Sequence, residues 1–410
     1  MTRPLYLDSA RLGQFSVTAR RTLDAFLDFV GTAPTHPHLI EWLRNGGGFG
    51  KDLGPLSLWQ GIDAFEQSIT AMFGAPATSR VCISSRSVTL IRLGLQQLFK
   101  RCRRCMTVDT CWPRYLHELH QAAATKSDSV FVKSFRRPVY DRGVSVEEFC
   151  ESVCMVYCSE GCDGLFLPAV DYLGTRLPVA EIVKSIRKFG GEVRFVLVDA
   201  AQGLGHVPLN DDCAVADFVI AGTHKWLGSY STLGIGVAPD ASRDSAIDSG
   251  IQRALRGSYI DDGLLSFVEL LRRSVSVQSE TVNLCPLFSA LGAIEGAVRP
   301  TAMSVSDRLR NAQQVICVAE QSGWDAVLPD NDFRSGILLL QLPKHDQIID
   351  TSRLQQVFVD HSVFLTVYDR GLIRMSLPAE LLGIESLKQL EQALRAARHA
   401  AFTQHTLIPG

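Results

Sequence analysis

The chain has 410 residues, 46% of them hydrophobic and 20% charged, with 41 Lys and Arg against 43 Asp and Glu for a formal net charge of −2. That length predicts a well-buried core in one large and one smaller domain. The near-neutral balance excludes the electrostatic footprint of a nucleic-acid or anionic-membrane binder.

The N-terminus, Met-Thr-Arg-Pro-Leu-Tyr-Leu-Asp, carries no apolar signal run, and no stretch is long enough to span a bilayer. A cytoplasmic protein is the expectation, and its eleven cysteines, an odd number, read as reduced thiols. Leu5 to Gly13 is an extended opening, followed by an amphipathic helix from about Ser16 to Val30. Residues 32 to 55 are rich in Pro, Gly and His, including Asn45-Gly-Gly-Gly48, and read as a loop. Three adjacent glycines suit mobility or close approach to a ligand, but no G-K-[ST] follows to make a phosphate loop. Trp59 to Phe73 is the next helix.

Arg80 to Leu90 reads as a strand, a small-residue turn and a helix running to about Lys100. Ser84, Ser85 and Ser87 bring hydroxyls, and Arg86 a guanidinium, to a helix N-terminus whose free N–H groups suit a phosphate. An ordinary serine N-cap has the same pattern. Cys102-Arg-Arg-Cys105 is a lone C-x-x-C between basic residues with no second pair nearby, so it reads as two ordinary thiols, with a redox-active pair as the alternative. The strand at 106–110 runs into Cys-Trp-Pro-Arg-Tyr, which sets Trp112 and Tyr115 just past a strand end; a core tryptophan is the alternative. Cys150, Cys154, Cys158 and Cys162 recur every four residues, so the first three form one helical stripe. Zinc ligands come as C-x₂₋₄-C pairs split by a longer loop, so the series reads as core, and no metal is expected.

The stretch from Val196 to Pro239 organises the rest. Phe195–Val198 is short, apolar and β-branched, with Asp199 directly at its end, as a buried parallel strand presents a side chain at the carboxyl edge of a sheet. Residues 216–221 form a second such strand, and it runs into Gly222-Thr223-His224-Lys225. In open α/β sheets the ligand crevice lies at those strand ends. An acid and a lysine facing one crevice suit pyridoxal phosphate (PLP), which needs a lysine amine for its Schiff base and a carboxylate beside its ring nitrogen. For the pair alone, a capping aspartate and a solvated lysine are the alternative. Strand–helix alternation from 80 to 238 predicts a parallel sheet wrapped by helices. Further helices are expected at about 243–255, 261–274 and from Met303 onward. The last part has strands at 336–342, 363–367 and 372–375, and a helix over Glu385–Arg398.

With Gln202 three residues past the acid and His-Lys-Trp-Leu-Gly past the strand, this stretch resembles the fold-type I PLP enzymes of the class V aminotransferase and cysteine desulfurase group. Those enzymes carry D-x-A-Q, then S-x-H-K, then a Gly-rich turn and a strand. The resemblance runs from about Tyr6 to Arg398. It implies an α/β fold of the PLP-dependent transferase type. The large domain, residues 31–300, would hold a mainly parallel central sheet, and residues 301–410 a smaller α+β domain. Residues 1–30 would belong to the small domain and the active-site rim.

The resemblance also implies roles. Lys225 holds PLP and shuttles the substrate Cα proton, while Asp199 keeps the ring nitrogen protonated and Gln202 sits near the phenolic O3′. Thr223, His224 and Ser87 hold the phosphate, with Arg86 adding a charged contact where hydroxyls and main chain are usual. Trp112 stacks on the pyridine ring, Tyr115 being the second choice. Asp163 to Ile182 resembles S-N-V-L-G-x-x-x-P-V-x-E-I, with Asp171 where the family's Asn bonds O3′. This is a departure: an ionised Asp repels a phenolate, so Asp171 is protonated, turned toward substrate, or offset by Arg86 or Arg176. Ser276 to Thr281 resembles the E-A-G-T-P turn, with Glu280 in place of Gly; its Thr281 would reach the phosphate of a neighbouring subunit, implying a homodimer with shared sites. The opening resembles Y-L-D-N-A-A, with Ser9 and Arg11 departing from it; Arg11 contacts an acidic substrate group or is a surface cation. Ile373-Arg374-Met-Ser matches the R-x-S strand, whose arginine grips the substrate α-carboxylate as a bidentate pair.

The resemblance is specific for PLP and not for reaction type, since one fold serves many outcomes. Cysteine desulfurase chemistry is disfavoured, because it needs a nucleophilic cysteine shortly before the R-x-S strand and Lys344 to Arg374 contains none. The expectation is an aminotransferase-like reaction on a small-molecule amino acid. A β-lyase, epimerase or decarboxylase is the alternative, and a PLP-fold binding protein without turnover is the reading from another class.

Overall fold

The short apolar runs of the centre form strands buried on both faces. The computed structural model describes residues 4–32, 39–47, 54–239, 244–256, 261–272, 282–297, 305–344 and 349–405. In chain order its strands begin with β1 (Leu5–Tyr6), β2 (Arg80–Ser84), β3 (Arg104–Val108), β4 (Ser129–Lys133) and β5 (Gly164–Pro168). Then come β6 (Phe195–Asp199), β7 (Phe218–Gly222), β8 (Gly234–Ala238), β9 (Asp325–Val327) and β10 (Ile337–Gln341). The last are β11 (Val363–Phe364), β12 (Thr366–Tyr368) and β13 (Leu372–Ser376). The helices that bear on the site are α1 (Val17–Thr32), α2 (Ile40–Asn45), α3 (Ile62–Phe73), α4 (Ser87–Arg101), α5 (Pro113–Ala124) and α6 (Val146–Ser159). Farther on lie α7 (Val179–Lys188), α8 (Asn210–Val215), α9 (Asp244–Arg256), α10 (Gly263–Arg272) and α11 (Cys285–Ala297). The chain closes with α12 (Val305–Gln321), α13 (Thr351–Asp360) and α14 (Ile384–His405).

The seven-stranded sheet has the order β2-β8-β7-β6-β5-β3-β4. Pairs from β4 through to β7 are parallel, and β8 runs antiparallel to both β7 and β2. Every residue of β5, β6, β7 and β8 is buried, which is why these strands read as unbroken apolar runs rather than as alternating ones. Helix α4 lies across β6, β7 and β8. It comes so close at Gly94 that a Cβ there would stand 2.7 Å from Leu197 Cδ1. This is the mainly parallel, helix-wrapped α/β fold that the alternation predicts.

The C-terminal sheet is antiparallel, in the order β12-β13-β10-β9, and its core gathers Trp324, Phe358, Met375 and Leu390. Leu5 and Leu7 belong to that same core, because β1 pairs in parallel with β11. The N-terminal segment then crosses to the large sheet. Ala10 N–H donates to Ser376 Oγ (2.8 Å), and Gly13 N–H donates to the His224 carbonyl (2.7 Å).

Several local expectations change. The supposed loop between 32 and 55 contains α2, because Trp42 and Leu43 find buried partners; Trp42 stacks on Phe288 at 5.4 Å. The helix expected from Trp59 starts at Ile62, after Gly61 at φ 96. The strand expected from residue 216 starts at Phe218, since the Asp217 carboxylate turns back to accept the Val196 N–H. In the four-spaced cysteine series, Cys150, Cys154 and Cys162 are buried but Cys158 faces solvent. Steps of four drift about 40° each around a 3.6-residue turn, and Cys162 lies past the helix end. Burial pushes the Cys102 thiol up to about 12, and Cys105 rises as well, so neither is poised as a thiolate. Among the described residues no cluster of His, Cys, Asp and Glu can hold a metal ion, and no helix is long and apolar enough to cross a membrane.

Leu197 is fully buried beneath Gly94. Leu197→Ala should cost about 2–5 kcal/mol, seen as a lower urea midpoint with an unchanged slope. An unmoved midpoint would contradict β6 as the centre of the fold.

Candidate active site

Parallel neighbours end at the same edge, so β5, β6 and β7 discharge their loops side by side. The β5 exit carries Pro168 to Tyr172, the β6 exit Asp199 to Gln202, and the β7 exit His224 and Lys225. β2 leads into Ser87, and β3 into Trp112 and Tyr115. The C-terminal sheet adds Thr366, Tyr368 and Arg374, and the N-terminal segment adds Ala10 and Arg11. Together these residues enclose a cavity of about 550 Å³, the size of a small-molecule site.

Asp199 and Lys225 both line it. Asp199 is 6% exposed, and its Oδ1 accepts the Ala201 N–H at 2.9 Å. Burial raises the pKa of this carboxyl, while the Ala201 hydrogen bond and the nearby Lys225 charge pull it back. The lysine mirrors it. Desolvation lowers the Lys225 ammonium to about 8, against the attraction of Asp199 and with the repulsion of Arg374.

Three more lining side chains present polar atoms with no protein partner: Asp171 Oδ2, Arg374 Nε and His224 Nδ1. An unpaired buried polar atom is costly, and three of them around one cavity are what a polar ligand would satisfy. Asp171 is 1% exposed; its Oδ1 accepts the N–H groups of Leu173 (2.9 Å) and Thr175 (2.8 Å), which leaves Oδ2 free. Burial raises its carboxyl to about 6 against those hydrogen bonds. Neither expected cation offsets it: Arg176 is bound to Asp212 (2.8 Å), and Arg86 is exposed. Arg374 donates to the Tyr172 carbonyl (2.9 Å) and to Thr366 Oγ1 (3.2 Å), and lies 3.5 Å from Asp8 Oδ1. Thr366 in turn donates to Asp8 at 2.5 Å. Burial lowers His224 to about 4, so its ring is neutral near pH 7.

Of the predicted residues, the cavity brings together Lys225, Asp199, Asp171, Gln202, His224, Ser87, Trp112, Arg374 and Arg11. Arg86 is not among its lining; it precedes α4 as the N-cap, in extended conformation, with its side chain in solvent. Ser84 and Ser85 are also turned away, the first donating to the Arg86 carbonyl and the second to Asp262. Thr223 is wholly buried and accepts from Ser229 (2.7 Å), so it lies behind the cavity wall. Gln202 lines the cavity with an occupied amide: Nε2 donates to the Ala10 carbonyl (2.7 Å), and Oε1 accepts from Trp226 (2.9 Å). Trp112 is 47% exposed, edge-on to Tyr172 at 5.6 Å, so it walls the mouth rather than the core. Thr281 lies outside the described residues. Tyr172, Thr366, Tyr368 and Asp8 were not singled out from sequence. Only Asp8 had a signal, as the acid of the Leu-Asp-Ser-Ala opening.

The residues present fit PLP. A lysine faces a carboxylate, free N–H groups open α4 beside Ser87, and Gly234 keeps that turn clear, since a Cβ there would stand 2.5 Å from the Ser87 nitrogen. The Lys225 amine should therefore react with an aldehyde or an arylating reagent along a pH curve centred near 8. Burial disfavours the ammonium, so reactivity should rise as pH climbs through that value and level off above it. A midpoint near the ordinary lysine value of about 10.4 would contradict the buried setting.

Residues 166–242 match the family model Aminotransferase class-V. No curated protein matches the chain by sequence. Among solved structures the chain is similar to alanine–glyoxylate aminotransferase from Nostoc sp., at 14% identity, covering 97% of this chain and 96% of that one with a TM-score of 0.65. It is similar to a cysteine desulfurase from Thermococcus onnurineus at 15% identity, covering 96% and 94%, with a TM-score of 0.66. It is also similar to the cystine C-S lyase C-DES in complex with its product cysteine persulfide, at 13% identity, covering 96% and 98%, with a TM-score of 0.70. A variant of C-DES was solved with glycine covalently linked to the PLP cofactor. At these identities the likeness is one of fold. The central segment thus matches the class V aminotransferase model, and the chain as a whole shares the fold of these solved structures.

Proposed function

We propose that the chain is a PLP-dependent, aminotransferase-like enzyme acting on a small-molecule amino acid, and not a cysteine desulfurase. The observation that carries this reading is Lys225 and Asp199 lining one cavity with Arg374 across from them. When bound, PLP supplies an electron sink for charge that develops at the substrate α-carbon. Lys225 holds the cofactor, and an amine lowered to about 8 is matched to moving a proton near neutral pH. Asp199 offers its second oxygen, which takes no protein hydrogen bond among the described residues, to the ring N–H. Ser87, His224 and the first N–H groups of α4 hold the phosphate. Trp112 covers one face of the ring, with Tyr115 beside Ser87 at 3.3 Å between hydroxyls.

Arg374 orients the substrate by its α-carboxylate, using the Nε that no protein group takes. Asp8 beside it tempers the buried charge while the site is empty of substrate. Arg11, exposed at the rim, reaches a distal acidic group. Against desulfurase chemistry, no cysteine lines the cavity among the described residues. The motif at 276–281 supports a homodimer in which Thr281 completes the partner's phosphate site. We also propose residues 31–300 and 301–410 as the two domains and a cytoplasmic location; of the first 30 residues, Leu5 and Leu7 join the second core, whereas α1 packs on α11 of the first, with Phe26 stacked on Phe288 at 4.0 Å.

Incubation with PLP, an amino-acid panel and a keto-acid acceptor should yield a new keto acid, with the amino group recovered on the acceptor. Pyruvate plus ammonia instead would replace the aminotransferase reading with a lyase. Arg374→Gln should lower kcat/KM by about tenfold to a hundredfold, as expected for one lost charge-assisted hydrogen bond of roughly 1.5–3 kcal/mol. An unchanged kcat/KM would remove Arg374 from substrate binding.

A further inference from the structure

We propose that Trp226 and His206 are positioning residues: their stacked rings set the Lys225 amine relative to the C-terminal sheet that carries Arg374. The inference rests on the proposed role of Lys225 as the reacting amine.

Trp226 follows Lys225 directly. Its indole lies face to face on the His206 imidazole, with centroids 3.8 Å apart and planes 16° from parallel. Its N–H donates to Gln202 Oε1 at 2.9 Å, on the loop that follows Asp199. The lysine and the carboxylate are thus keyed to each other through one indole ring.

His206 extends this link to the other sheet. It is wholly buried, and Gly336 N–H donates to its Nε2 at 2.8 Å. A backbone N–H only donates, so Nε2 accepts, the single ring proton sits on Nδ1, and that N–H donates to the Gln202 carbonyl at 2.7 Å. Burial and the neighbouring Arg308 lower this histidine to about 3, so the tautomer holds throughout the neutral range. Gly336 leads into β10, and its carbonyl accepts the Leu377 N–H at 2.8 Å, just past the strand that bears Arg374. Arg308 of α12 closes the circuit: its guanidinium carbon lies 5.0 Å from the Trp226 ring centre, and Nη1 donates to the Leu377 carbonyl at 2.7 Å. Space is tight throughout, since a Cβ on Gly336 would stand 2.5 Å from Arg308 Cδ and 2.8 Å from His206 Nε2.

The chemistry requires such a link. One substrate must meet Arg374 with its carboxylate and Lys225 with its α-proton, yet those residues stand on different sheets. A misplacement of about 1 Å between reacting groups can cost on the order of a hundredfold in rate.

The test compares Trp226→Leu, which removes the stack, with Trp226→Phe, which keeps an aromatic face, and with His206→Gln. Each purified protein is assayed for kcat and KM on the substrate found for the wild type, and for the pH midpoint of PLP capture by Lys225. Trp226→Leu and His206→Gln should lower kcat by about tenfold or more, with KM within about threefold. Both should move the capture midpoint away from its wild-type value near 8, while Trp226→Phe stays close to wild type. A merely structural role would lower the melting temperature and leave the midpoint and the per-folded-molecule kcat unchanged, and that result overturns the proposal. Equal kcat losses in the Phe and Leu variants overturn it too. Should Trp226→Leu fail to fold, His206→Gln decides by the same two readouts. A wild type that captures no PLP at Lys225 sinks the parent reading instead.

Discussion

An amine and a carboxylate buried together, at the carboxyl ends of adjacent parallel strands, set the terms for the rest of this molecule. Removal from water pushes each toward its neutral form, and each charge holds the other back from that limit. The strands that deliver them are β6 and β7, paired so that Asp199 lies opposite Ile220.

The opposite wall belongs to a different sheet, and the N-terminal segment joins the two. Its first strand pairs with β11, its Asp8 faces Arg374, and its Gly13 lies against the Lys225 loop. A Cβ at Gly13 would stand 1.8 Å from the Lys225 carbonyl oxygen, so only glycine lets the segment pass. Arg374 shows the same economy. It is buried, partly offset by Asp8, and hydrogen-bonded to Tyr172 on the loop that leaves β5, so the substrate contact proposed for it and the contact between the two walls share one side chain.

Much of this arrangement was legible in the residues themselves. A strand buried on both faces reads as an unbroken apolar run, and a polar residue directly after it marks the sheet edge; Asp199 and Lys225 stood out on that ground. Ser87 and Arg374 followed only from the resemblance, whose phosphate turn and R-x-S strand they match. What escaped was tertiary. Gln202 has the right spacing, but its amide is taken by Ala10, 192 residues away in the chain, and by Trp226. Arg86 sits in a phosphate-like motif, yet its extended backbone turns the side chain outward. Tyr172 and Tyr368 resemble any aromatic at a strand end, and no local signal says which cavity they will wall. Asp171 was recognised as a departure, but the two backbone N–H groups that occupy one of its oxygens arise from a turn that only the fold reveals.

The most direct test of the account is chemical. The protein is loaded with PLP, reduced with borohydride, digested and analysed by mass spectrometry. The account predicts one pyridoxyl group, carried on the peptide that contains Lys225. A label on another lysine, or no label at all, would contradict it.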